Sequence, residues 1–164
     1  MNPLNPRIQE AIVLRQQGEY QASRDLLKDL LDHPDEGAQA HLQTAWAYDN
    51  EGLEQQALTH YFAALSDATL STSDRFETLF GLASTYRCLG QYATALAYFE
   101  QLLREYPAEV QVQPFYAMCL YNVGRHKEAT SLLLKLLVST TNSEAIQGYQ
   151  RAILGYAEDL DQQW

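Results

Sequence analysis

Four glycines, Gly18, Gly52, Gly90 and Gly124, set the register of this chain, at intervals of 34, 38 and 34 residues. Around each one the same text returns. An apolar stretch with helical spacing leads into the glycine, and an amphipathic stretch follows with a small residue five positions on: Ser23, Ala57, Ala95 and Ala129. A period of this length marks helix pairs stacked in an array, because one pair alone cannot bury its apolar face and must cover it with its neighbours. Four such pairs consume nearly all of the 164 residues. The spacing therefore predicts an all-α chain with its core divided among successive helix contacts.

Helix punctuation agrees with that register. Asn5-Pro6 is a cap and first-turn pair ahead of Ile8, Ala11, Ile12 and Leu14; Leu26, Leu27, Leu30 and Leu31 line the return helix, which His33-Pro34 stops. Ala45, Trp46 and Tyr48 precede Gly52, and Ala57, Leu58, Tyr61, Ala64 and Leu65 follow it. A polar stretch over 66–73 lengthens the next connection, and Asp74 with Glu77 reads as a capping box. Pro114 sits early in the seventh helix, where a missing N–H is tolerated only in the first turn, so that helix is expected to start late or bend. After Ser143, the residues Ile146, Tyr149, Ile153, Tyr156 and Leu160 recur at intervals of three and four, as a closing helix over the last pair requires. The resulting division of a single domain, 1–164, is 5–36, 38–70, 74–108 and 110–141, with the closing helix at 143–161.

Charge narrows the partners. The chain holds 11 Lys and Arg against 21 Asp and Glu, a net −10, and between Asp29 and Glu77 ten acids face one base, Arg75. Phosphate backbones are held by clustered cations, so nucleic acid and anionic membrane are excluded as expected partners, and a basic protein is the complement of such a surface. The same excess of acid also serves solubility alone. No stretch has the ~18 apolar residues of a membrane span. Met1 to Arg7 has no apolar segment of a secretory signal, and the two cysteines, Cys88 and Cys119, are expected unpaired, so a cytoplasmic setting is expected.

The third unit carries the fullest pattern: Leu79, Leu82, Ala83, Tyr86, Gly90, Tyr92, Ala95, Phe99 and Pro107. It resembles the tetratricopeptide repeat, and the likeness spans about residues 5 to 141. The second unit keeps Ala45, Tyr48, Gly52, Ala57, Tyr61 and Ala64 but has Glu54 at the turn tyrosine; the first and fourth are looser, with Ser23 for an alanine and His126 for the turn tyrosine. The resemblance implies a right-handed α-solenoid of four helix-turn-helix repeats with a C-terminal capping helix, in a stand-alone bacterial protein. It also implies a concave groove lined by the first helix of each repeat. By position that groove holds Ile8, Ile12 and Arg15; Leu42, Trp46, Asp49 and Asn50; Phe80, Ser84 and Arg87; and Met118, Tyr121 and Asn122. Trp46, Arg87 and Tyr121 are the types that most often anchor interfaces. The alternative for such side chains is burial under the closing helix or in a self-dimer.

Some relatives of this type grip a C-terminal carboxylate with Lys, Arg and Asn. The matching places here hold Ile8, Ile12, Gln43, Glu77 and Gly81, so that clamp is missing. His33, His41, His60 and His126 show no i, i+4 pair and no cysteine at metal-ligand spacing, and neither cysteine has a nucleophile signature. The expectation is no enzyme, no cofactor and no metal. Function is expected to be protein–protein interaction, with a peptide or helix of a partner in the groove. The alternative is a homodimeric scaffold that closes on itself through the groove or through the leucine-rich last repeat, with Leu132 and Leu134 as the sealing residues.

Overall fold

The computed structural model describes residues 4–163. Among them there are ten α-helices, one 3-10 turn and no strand. The helices are α1 (Pro6–Gln16), α2 (Tyr20–Leu27), α3 (Gly37–Glu51), α4 (Glu54–Ser66), α5 (Thr72–Cys88), α6 (Tyr92–Glu105), α7 (Val112–Asn122), α8 (His126–Thr140), α9 (Glu144–Gln147) and α10 (Gln150–Glu158). They form two compact units, one ending at Gln91 and holding α1–α5, the other starting at Tyr92 and holding α6–α10.

The four register glycines are the four positive-φ residues, at +84°, +78°, +74° and +82°. Each closes its helix in the same way. The glycine N–H reaches three residues back, as Gly52 to Asp49 O at 3.0 Å, and the next N–H reaches five back, as Leu53 to Tyr48 O at 2.9 Å. This paired bond satisfies carbonyls the helix end would leave open, and its left-handed residue has no steric cost only when it is glycine. The sequence period is thus a period of identical helix stops.

In the first unit, Asn5 caps α1 by accepting from the Arg7 N–H at 2.9 Å, with Pro6 at the first helical position. Ile8, Ala11, Leu27, Leu30 and Ala40 form a buried cluster, flanked by Leu4, Ile12, Leu26 and Leu31. Ser23 stands where the repeat pattern has alanine. It is fully buried and donates to Ala11 O at 2.7 Å, so its hydroxyl is satisfied inside the core. The return helix ends in the 3-10 turn Lys28–Leu30, before His33-Pro34. The cap of α5 is not the Asp74–Glu77 pair expected. Ser71 takes that place, accepting from the Asp74 N–H at 3.0 Å and donating to the Asp74 carboxylate at 2.7 Å, so the helix gains its first turn from the polar connection.

In the second unit, Ala117, Leu120 and Ala129 form a core with Leu96, Tyr116 and Leu132 around it. Helix α7 starts only two residues before Pro114 and is short at 11 residues, the late start its proline dictates. The closing segment is two helices, broken at Gly148-Tyr149, where glycine's low helix propensity weakens the run. Helix α10 packs on α8: Ser131 donates to Ala157 O at 2.5 Å, and Lys135 pairs with Glu158 at 2.7 Å. Of the residues expected to close the array, Ile146 and Ile153 are half-buried. Ala157 is buried, while Tyr149, Tyr156 and Leu160, expected to close the array, face solvent.

Candidate functional site

First helices α1, α3 and α5 of the first unit pack on one another in order, α1 on α3 and α3 on α5. Helical spacing puts Trp46 and Asn50 one turn apart on α3, and the structure brings Arg15 of α1 to both. The Arg15 guanidinium lies 5.1 Å from the Trp46 ring centre, and its Nη1 donates to Asn50 Oδ1 at 3.1 Å. Trp46 is half-buried, with the Arg15 guanidinium against its ring. Burial pulls the Arg15 pKa below its ordinary value, and the phenols Tyr61 and Tyr20 act against that pull.

Asp49 ties three helices together. Tyr61 of α4 donates its hydroxyl to Asp49 Oδ2, and Thr85 of α5 donates to the carboxylate with both oxygens at 3.0 Å. Burial raises the Asp49 pKa, opposed by these two hydroxyls, and burial with the Asp49 charge raises that of Tyr61. Both carboxylate oxygens are engaged within the unit, so Asp49 braces the first-helix face from behind. Leu42 is fully buried and presents nothing to a partner. Ile12, Phe80, Ser84 and Arg87 are half-buried, and the Phe80 ring packs at 5.9 Å from Phe76. In the second unit, Met118 and Tyr121 of α7 are exposed and Asn122 is half-buried; Tyr121 sets its ring edge-to-face with His126 at 4.7 Å.

Sequence spacing did not reveal a second polar cluster, on α2, α3 and α4. His41 and His60, 19 residues apart, meet with Nδ1 atoms 2.9 Å apart. Tyr48 stacks on His60 at 5.5 Å, and Arg24 lies over Tyr48 at 4.3 Å while pairing with Glu51 at 2.7 Å. Burial, then the neighbouring His41 and Arg24, holds His60 down at about 4, and burial lowers His41 against the fields of Asp32 and Asp67. The short N–N distance requires a proton on one Nδ1 and a lone pair on the other, and burial disfavours a further proton on either ring. Among the described residues no group of three or more His, Cys, Asp or Glu side chains gathers to hold a metal. No helix among them is long and apolar enough to cross a membrane.

Four identical glycine stops at helix ends describe a repeat array. The family model described as tetratrico peptide repeat matches residues 38–160. The chain belongs to the tetratricopeptide repeat family. Its repeats generally mediate protein–protein interaction on a scaffold that is generally non-catalytic. The matched span starts at the second helix pair, yet the first pair carries the same glycine stop, with Glu19 N–H to Leu14 O at 2.9 Å. No curated protein matches the chain.

Proposed function

We propose that this tetratricopeptide repeat protein is a non-catalytic adaptor that holds a segment of a partner protein against the first-helix face of its repeats. The observation that carries the reading is Trp46: a half-buried indole, oriented by Arg15 and flanked by Asn50, on the middle of three adjacent first helices. A large aromatic fixed in place before binding loses little entropy on contact and excludes much water, which is the profile of an interface anchor. The test is capture of a native partner by the full chain and by Trp46→Ala. The variant is expected to lose capture while its melting temperature changes little, and an early-melting variant that still binds would make Trp46 a core residue. Tyr121→Ala, an exposed position on α7, reports separately whether the second unit takes part.

Self-association is a second reading, supported by the apolar surface of the second unit. Leu133 and Leu137, one turn apart on α8, and Tyr149 and Tyr156 are all exposed. Such apolar surface marks a contact site when it is contiguous. Light scattering tests it, because a stable monomer at micromolar concentration removes the dimer.

A further inference from the structure

Among the described residues Arg15 has no acidic partner, in a chain rich in acid. Several other cations of the chain sit against carboxylates: Arg24 reaches Glu51 at 2.7 Å, Arg125 reaches Glu128 at 2.6 Å and Arg7 reaches Asp29 at 3.3 Å. Arg15 instead has a neutral amide at 3.1 Å and an indole face at 5.1 Å, and its Nε is buried without an acceptor. Twenty-one acidic residues were available to this fold, so scarcity does not explain the omission. A half-buried guanidinium has lost part of its hydration, and a well-placed anion offsets part of that loss.

We propose that Arg15, with Asn50 beside it and Trp46 against its face, is a subsite for the carboxylate of an aspartate or glutamate side chain within the partner segment. The proposal rests on the first-helix reading of the binding face and adds the chemistry that fixes the segment's register. With Asn50 accepting from Arg15 through Oδ1, its amide N–H is a further donor beside the guanidinium, and the proposed carboxylate would take both. The indole holds the guanidinium plane in position, as lysine's point charge could not be held. One guanidinium balances one negative charge. A phosphate would bring a second charge into the field of a −10 protein.

The experiment selects from a random peptide library displayed as internal segments on phage, with no free C terminus, against the full wild-type chain and Arg15→Gln. Selected peptides are expected to share one acidic position on the wild type and to lose that preference on Arg15→Gln. In solution, Glu→Gln in a selected peptide should weaken binding to the wild type about tenfold and to Arg15→Gln less than about twofold, the coupling of a direct charge pair. If Arg15→Gln does not fold by circular dichroism, the same peptide pair is compared on Asn50→Ala, at an exposed position, where the acidic preference should shrink. Peptides with no shared acidic position, or with one indifferent to both variants, overturn the subsite and leave the first-helix reading standing. Failure to select any peptide on the folded wild type removes that reading and the subsite with it.

Discussion

At the scale of single residues, two glycines show how one substitution acts through two different physical causes. Gly124 has φ +82° and open space where a Cβ would go, so alanine there meets no atom and suffers only backbone strain. Gly81 is helical, and a Cβ on it would run into the Tyr61 ring. Gly124→Ala should cost about 1–2 kcal/mol, the left-handed penalty. Gly81→Ala gains about 1 kcal/mol of helix propensity and still should destabilise by about 1–3 kcal/mol through overpacking. Thermal unfolding of both checks this, and a stabilised Gly81→Ala would mean that Tyr61 moves aside freely. The His41–His60 pair carries a pH prediction. Both folded pKa values lie below the ordinary 6.5, that of His60 at about 4, so the unfolded chain binds more protons between those values. Stability from the pair is present above pH 6.5 and is lost as pH falls toward 4. Asp49, raised by burial, has the opposite sign over the acidic part of that window. Melting temperature followed from pH 7 to 4.5 should therefore fall less steeply in His60→Asn than in the wild type. The glycine stops were legible in the sequence because a helix end is a local event. The His41–His60 and Arg15–Trp46 contacts were not, because residues 19 and 31 apart meet only through the rotation of one helix on the next.

At the scale of elements, helix caps and closures decide what each unit exposes. The expected start of α5 came three residues late because Asp74–Glu77 and Ser71–Asp74 are overlapping patterns, and serine outranks aspartate only through the bond its hydroxyl makes to the Asp74 N–H. The last segment was legible as amphipathic, but its inward face was not. Ala157, outside the expected stripe, is the buried residue of α10; Ile153 is half-buried and the two tyrosines are exposed. Deleting residues 143–164 uncovers the α8 surface that receives Ala157 and removes the Ser131 and Lys135 contacts. The truncated chain is expected to lose solubility or aggregate, by the logic that a terminal repeat needs a covered face. Sedimentation of the truncated chain beside the full one measures this, and an equally stable monomer would make the segment a tail.

At the scale of the whole molecule, the family and the all-α class followed from the repeat period, which is a property of the entire chain. The binding chemistry did not, because it depends on which of several first-helix side chains are left open. Of the groove residues expected, Leu42 is buried, Asp49 is engaged by Tyr61 and Thr85, and half-buried Trp46 and exposed Asn50 lie beside Arg15. The central claim is that the first-helix face of the repeats takes the partner. Backbone amide chemical shifts of the full chain, followed by NMR while a peptide selected on it is added, test that claim most directly. The account predicts shifts concentrated on α1, α3 and α5 around Arg15, Trp46 and Asn50. Shifts concentrated instead on the second helices α2 and α4, or on the exposed apolar side chains of α8 and α10, would contradict it.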